Sequence, residues 1–477
     1  MNGFTSVFYD FNLPNATTWF YFSFLLAVAL FFRFSRLLSV RNWDVVTLFL
    51  LVPGLLILNE SRTHSAEVMA KTVGEAVLAG PLPGTGPAGV GMVAAVADPD
   101  LGPTRPLRFG YLWLLVGSAY LLIRCLIDLA LERRPALSPN LTLGGLGWLS
   151  GALFVCLIAV AVRHPPEVRS ATVGKTGAPL ELAQGATANI VQAETPPGTT
   201  TDAEMRFWVQ RTLALLCHLA IVAGLVVIGS RHFQDAASGM AAATFYLLLP
   251  YTGLQIGQLA HVWPMALVVW ALALYRTPTF AGILLGLAAG TVYFPALVFP
   301  LWLSFYWRRG AGRFAAFFLL SAAVCLAVTA VILWTQGELE ARVQSALALS
   351  DWQPWKVPTE EGFWVGIHWV YRIPVFIAYL AFVVTTAFWP APKNLAHVLA
   401  LSAAVLIGTQ FWYADHGGVY VLWYLPLLLL MVFRPNLSDR RPLPIQPETD
   451  WLVRSGRLLG RVGAWLVRMP QPLARVR

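Results

Sequence analysis

Eleven apolar runs of 15–24 residues recur along this chain, and they constrain its fold more than any other feature. They cover 17–32, 44–58, 109–130, 141–162, 207–230, 237–253, 259–275, 313–335, 373–389, 395–412 and 418–433. A helix needs about 20 mainly apolar residues to cross a bilayer core, somewhat fewer where its flanks reach the interface. Of the 477 residues, 57% are hydrophobic and only 12% charged. A soluble domain has too little interior to bury that much apolar surface, because single cores stop growing near ~250–300 residues. A soluble enzyme, a disordered tail protein and a disulfide scaffold are thereby excluded. The sequence predicts an all-α polytopic membrane protein.

The first run has no basic segment before it and no small-residue cleavage site after it, and Arg33 and Arg36 follow. It reads as a retained helix and not as a cleaved signal peptide. Short loops on the cytoplasmic side carry the excess of Lys and Arg. Arg33, Arg36 and Arg41 therefore place the first connection inside and the N-terminus outside. Alternation then puts Arg133 and Arg134, Arg231, Arg276 and Lys393 inside as well. The longer connections 59–108, 163–205 and 336–371 fall outside. This orientation suits a plasma (inner) membrane protein with a cytoplasmic C-terminus.

The stretch 279–307 tests the alternation. Arg276 precedes it and Arg308, Arg309 and Arg313 follow it, so both flanks belong inside. Gly290 and Pro295 interrupt its middle, which predicts two short helices, 279–291 and 295–307, with a tip at Thr291–Phe294. Such irregular backbone at membrane depth survives only when packed in protein or lining a cavity. About 12–13 transmembrane helices result, this hairpin included.

Net charge is +9, but residues 434–477 hold nine Arg against Asp439, Glu448 and Asp450, so the tail alone supplies +6. A basic tail beside a membrane meets anionic lipid, not nucleic acid. Arg454, Arg457, Arg461 and Arg468 lie opposite Trp451, Leu459, Val462, Trp465 and Leu466, a basic amphipathic helix for the inner leaflet. The chain divides into an extra N-terminal helix with its cytoplasmic turn (1–43), a transmembrane domain (44–433) and this tail (434–477). In the outer loops, 66–80 and 338–350 have helical spacing, and the latter leads into the Trp-rich DWQPWKVPTEEGFWVGIHW. Residues 165–203, rich in Gly, Pro, Thr and Ala, read as a mobile loop.

No phosphate-cradling loop, dinucleotide motif or metal-ligand spacing is present, and Cys125, Cys156, Cys217 and Cys325 each sit alone in an apolar run. No cofactor is expected, and no residues stand out as metal ligands. Chemistry must come from polar groups at the outer ends of spans, where ionisable side chains are costly and so are functional candidates. These are Glu60 with Arg62 and His64, then Gln255, Gln258 and His261, then Asp415 and His416. Arg124 and Asp128, an i, i+4 pair near the cytoplasmic end of the third run, read as structural. His218 and His397 read as packing residues.

The stretch QIGQLAHVWPMALVVWALALYRTPTFAGILLGLAAGTVYFPALVFPLWLSFYWRR (255–309) resembles the central signature of the GT-C mannosyltransferases, which use polyprenol-phosphate sugars. Gln258 takes the place of the family's glutamine, Ala281–Ala289 of its AG-LLGLAA, Pro295 of its proline, and Arg308 and Arg309 of its exit arginines. HGGVYVLWYLPLLLL (416–430) is similar to a late element of the family. About 180 residues carry the likeness. Two departures stand out: Thr291, Val292 and Tyr293 replace the family's lysine before its proline, and its usual Asp at the start of the first outer loop becomes Glu60.

The resemblance implies a GT-C-like membrane glycosyltransferase moving a hexose, such as mannose, from a polyprenyl-phosphate donor to a glycan or lipid acceptor at the outer face. Glu60 would be the base, since a sugar hydroxyl needs a positioned carboxylate to take its proton. Arg62, His64, Gln258, His261, Lys356, Arg372, Asp415 and His416 would bind substrate or the leaving phosphate, with Tyr293 at the hairpin tip helping to form the lipid-phosphate pocket. The alternatives are a transporter or lipid flippase and a catalytically inactive membrane scaffold of the same fold. No paired broken helix or fixed repeat, the marks of many transporters, occurs.

Overall fold

The computed structural model describes residues 15–64, 105–130, 139–163, 178–193, 202–335, 353–358 and 361–443. The helices expected at 66–80, at 338–350 and in the basic tail lie outside these residues. In chain order the helices are α1 (Ala16–Phe31), α2 (Val40–His64), α3 (Arg105–Asp128), α4 (Leu143–Arg163), α5 (Ala178–Ala193), α6 (Asp202–Ile228), α7 (Ala236–Leu248), α8 (Pro250–Leu254), α9 (Leu259–Ala273), α10 (Pro278–Val292), α11 (Phe299–Phe305), α12 (Ala311–Thr335), α13 (Arg372–Phe388), α14 (Leu395–Trp412) and α15 (Leu425–Phe433). Among the described residues there is no strand. Seven helices are long and apolar enough to cross a membrane, and five shorter apolar ones accompany them. The chain is an all-helical, multi-pass membrane protein, as its hydrophobic runs require.

Polar residues start several helices by accepting from first-turn amides that have no partner within the helix. Asn15 Oδ1 accepts from Thr18 N at 2.7 Å, and Asp235 Oδ1 from Ala237 N at 3.0 Å. Asn394 and His397 form a reciprocal capping box on α14, so His397 serves a helix start as well as packing.

Burial sorts the bundle into a centre and a lipid-facing ring. In α14, 89% of the apolar window is buried, against 17% in α12 and 22% in the helix ending at Phe388. Every described residue of α15 is buried, as is nearly all of α7. Apolar residues such as Trp148, Leu319, Val331, Trp334 and Phe388 remain exposed. Lipid satisfies them as well as protein would, so close packing and polar contacts must hold the helices together.

The hairpin shows that packing in detail. Gly282, Gly286 and Gly290 lie one turn apart on α10 and face α12. A Cβ at Gly282 would stand 2.6 Å from Phe314 O, and one at Gly290 2.7 Å from Cys325 Cβ. At Gly286 a Cβ would collide with Phe318 O and Ser321 Oγ. Because both registers rise together, α10 and α12 run parallel, so the chain between them must return to its starting side. Tyr293, with φ +53, ends α10 and turns the chain. Tyr306 Oη donates to Tyr275 O at 2.7 Å and ties the returning limb to the base of the hairpin. The AG-LLGLAA pattern thus has a direct packing role: its glycines let two backbones touch.

Three expectations are corrected. Residues 178–193, read as part of a mobile loop, form α5, which packs on α6, α10 and α12. Alanine is the strongest helix former, this segment has five, and its Leu180 and Ala188 are buried. The run 418–433 is helical only from Leu425, after a short 3₁₀ turn at Val421–Trp423, because Gly418 takes φ +97 and Pro426 can only open a helix. The run 237–253 breaks at Leu249, ahead of Pro250.

At one end of the bundle, the expected Arg124–Asp128 pair belongs to a larger buried network. Arg124 Nε and Nη2 donate to the two carboxylate oxygens of Asp44 at 2.7 and 2.9 Å, and Nη1 to Asp128 Oδ1 at 3.2 Å. Arg434 Nε reaches Asp128 Oδ2 at 3.0 Å. Two cations meet two carboxylates, joining α2, α3 and the chain just beyond α15. The candidate site occupies the opposite end of α2 and α3, some 18 residues from Asp44, or about 27 Å at 1.5 Å per residue.

Candidate functional site

Five segments converge at that end: the last turn of α2, the start of α3, the connection leading into α13, the turn after α14 and the start of α9. Arg62 is the hub. Its Nε donates to Glu361 Oε2 at 2.6 Å, and its Nη2 to Tyr111 Oη at 3.0 Å. The same Nη2 lies 3.1 Å from His416 Nδ1, which is also 3.2 Å from Tyr111 Oη. Since a guanidinium only donates, His416 Nδ1 is the acceptor in that contact and carries no proton. Beside this group Lys356 Nζ donates to Asp415 Oδ2 at 2.7 Å.

Backbone geometry holds these side chains in place. His416 adopts φ +53, and Gly418 follows at φ +97. Buried Gln410 shapes the turn: its Oε1 accepts from Gly418 N at 3.0 Å and Tyr420 N at 3.4 Å. A Cβ at Gly417 would lie 2.6 Å from Gln410 O, so only glycine fits there. Glu361 O accepts from His416 N at 2.8 Å, and Trp364 Nε1 donates to Phe411 O at 2.9 Å, docking the connection onto the turn. Arg372, 1% exposed, donates to Pro354 O at 2.9 Å and also to Lys356 O. Its guanidinium fixes the segment that presents Lys356, which makes it a positioning residue and not a phosphate contact.

An aromatic stack continues from the cluster to the hairpin. His261 stacks on Tyr420 (5.0 Å between centroids), Tyr420 on Trp423 (4.1 Å) and Trp423 on Phe294 (3.8 Å). Trp423 Nε1 also donates to Ala260 O at 3.2 Å. His261 is fully buried within electrostatic reach of His416, and neither of its ring nitrogens has a hydrogen-bond partner. Buried polar groups are almost always paired, so this imidazole is a candidate for meeting a ligand or a water.

Of the residues named from sequence, the structure brings Arg62, Lys356, Asp415 and His416 into the cluster, sets Arg372 behind it and puts His261 beside it. Glu60 and His64 are exposed and outside these hydrogen bonds. Gln258 takes the position before α9 without a side-chain capping bond, and Tyr293 sits half-buried at the hairpin turn. Sequence reasoning missed Glu361, Tyr111 and Gln410. Glu361 lay in plain view in the Trp-rich segment, next to a second Glu. Tyr111 and Gln410 sit inside apolar runs and carry no local signal. Among the described residues, no group of three or more His, Cys, Asp or Glu side chains could hold a metal ion.

Comparison with protein-family models, with curated proteins and with solved structures finds no match.

Proposed function

We propose that this protein is a membrane glycosyltransferase that moves a hexose from a polyprenyl-phosphate donor to a glycan or lipid acceptor. The observation that carries the reading is the convergence of Arg62, Lys356, Glu361, Asp415 and His416 at one end of an apolar bundle, beside a packed hairpin. Arg62 and Lys356 present two cations there, with Arg372 fixing the segment that carries Lys356, which suits a site that must accept a lipid phosphate. In this reading the Arg62 end faces outward from a plasma membrane, as the basic short loops at the other end support.

In the reaction, the acceptor hydroxyl attacks the anomeric carbon, and the bond from that carbon to the phosphate oxygen breaks. The bonding pair leaves with the lipid phosphate, and the hydroxyl proton passes to a carboxylate. Glu361, whose side chain is 45% exposed, is the accessible carboxylate of the cluster and takes the role first given to Glu60. Asp415 is buried and holds Lys356. Arg62 and Lys356 meet the developing phosphate charge, where preorganised cations act most strongly.

The test is transfer by reconstituted protein supplied with a polyprenyl-phosphate hexose. A positioned base contributes about 10²–10⁴ in rate, so Glu361→Gln is expected to slow transfer by that factor while Glu60→Gln leaves it unchanged. The reverse pattern returns the base to Glu60. No transfer with any lipid-linked donor refutes the activity.

A further inference from the structure

The turn between α1 and α2 lies at the end of the bundle that holds the Arg124 network, and hydrogen bonds fix its shape. Phe34–Arg36 form a 3₁₀ turn, and Ser39 Oγ accepts from Asn42 N at 3.3 Å at the head of α2. Asn42, 1% exposed, is the centre of the turn. Its Oδ1 accepts from Arg33 N at 3.0 Å, and its Nδ2 donates to Arg33 O and Arg36 O at 2.9 Å each. A buried amide bonded in this way rigidifies its surroundings, so whatever the turn displays is held in place.

The turn displays apolar surface and positive charge together. Phe34, Leu37, Leu38, Val40 and Trp43 are each more than half exposed, Leu38 most of all at 86%. Among them stand Arg33 and Arg36, both exposed, and Arg41, half-buried. Arg41 is short of negative charge. Its Nε and Nη2 are enclosed and, among the described residues, have no hydrogen-bond partner; Nη1 is the nitrogen not enclosed in this way. The charges acting on it are those of Arg33, Arg36 and Asp44. Asp44 is already engaged, since both its carboxylate oxygens accept from Arg124.

From this arrangement we infer that the α1–α2 turn seats the headgroup of an anionic phospholipid, its phosphate meeting Arg41 at Nη1 while Arg33 and Arg36 add attraction. Nε and Nη2 need no contact of their own, because the attraction between charges acts across the half-buried group. The apolar residues decide the source of the phosphate. A soluble anion would leave five large apolar side chains in water, and such patches mark contact surfaces. A lipid covers them while the arginines stay at headgroup level, as long cationic side chains do at an interface. The turn also stands on the lipid-facing rim, since Tyr21, Phe22 and Leu25 of α1 are exposed. Net charge then selects among lipids. A zwitterionic choline headgroup would bring a fourth positive charge among three arginines, and an anionic one brings none.

Native mass spectrometry of the full-length protein in detergent, titrated with one lipid at a time, tests this seat. The first phosphatidylglycerol is expected to bind at least about tenfold more tightly than the first phosphatidylcholine, because each basic residue near an anionic headgroup adds to the attraction. Arg36→Gln with Arg41→Gln is expected to remove most of that preference while leaving thermal unfolding unchanged. Arg36→Gln alone alters only an exposed side chain and is expected to lower the preference about threefold, which keeps the test valid if the double variant unfolds. Arg308→Gln with Arg313→Gln, exposed cations elsewhere in the chain, is expected to leave the preference at its wild-type value. Equal binding of the two lipids overturns the inference, as does a preference that survives the Arg36 and Arg41 substitutions or falls as far in the Arg308 and Arg313 control. Displacement of phosphatidylglycerol by glycerol 3-phosphate at equal concentration also overturns it, because a soluble phosphate would then suffice. None of these outcomes bears on sugar transfer at the Arg62 end.

Discussion

Replacing Asp128 with Asn tests whether the buried ion network holds the bundle together. The Asp128 side chain has 0% exposure and accepts from both Arg124 and Arg434. In the wild type, two arginines balance Asp44 and Asp128, so the network is neutral. Asp128→Asn keeps the shape but leaves one positive charge unbalanced among buried groups. Removing one partner of a buried pair costs about 3–5 kcal/mol, and at about 1.4 kcal/mol per tenfold the unfolding constant should rise by two to nearly four orders of magnitude. Titration with a denaturing detergent, followed by tryptophan fluorescence, measures that shift. The decisive variant is Asp128→Asn combined with Arg434→Leu. It removes the surplus charge and leaves the Arg124–Asp44 pair, at 2.7 and 2.9 Å, intact. The double variant should therefore recover at least half of the stability lost by the single one. A single-variant cost below about 1 kcal/mol, as for an exposed pair, or losses that simply add in the double variant, would refute the reasoning.

Three further outcomes follow from particular contacts. Gly286→Ala places a Cβ against Phe318 O and Ser321 Oγ and should cost about 1–3 kcal/mol of stability by overpacking, whereas Gly147→Ala on α4, where a Cβ meets nothing, should cost none; equal effects in the same titration contradict the hairpin packing. His261→Phe removes two unpaired buried nitrogens, so stability should hold or rise by about 1 kcal/mol while sugar transfer falls, and a marked loss of stability shows that the imidazole is structural. Burial pushes the Lys393 amine down to about 8 from its ordinary 10.5. Between those values the unfolded chain binds the proton and the folded chain does not, so stability rises with pH across that window. Lys393→Met should therefore stabilise the protein below pH 8, with the gain fading toward pH 10.5; a gain that does not vary with pH refutes this assignment.

Some of this architecture was legible because membrane insertion acts on local composition. Each apolar run, including the 279–307 hairpin with its two basic flanks, carries its own signal within a few turns of chain. Gly282, Gly286 and Gly290 were visible as a pattern, but what they touch was not, since the partner helix begins more than twenty residues later. Helix α5 was missed because its many small and polar residues resemble a loop until α6, α10 and α12 are there to cover Leu180 and Ala188.

The candidate site divides in the same way. Arg62, His261, Lys356, Asp415 and His416 could be named from sequence because charge and imidazole are scarce in this chain and stand at the ends of hydrophobic runs. Their relations could not be named. Arg62 and Glu361 are 299 residues apart, and Arg62 and His416 are 354 apart, yet each pair lies within about 3 Å. The sequence by itself determined a multi-pass helical protein and where its rare polar groups fall, because hydrophobicity is a property of each segment alone. Only the tertiary structure decided that Glu361 joins Arg62 while Glu60 stays exposed, and that Asp44 and Arg434 complete the Arg124–Asp128 pair. Those choices depend on which helix ends meet, which is set by packing between segments distant in the chain.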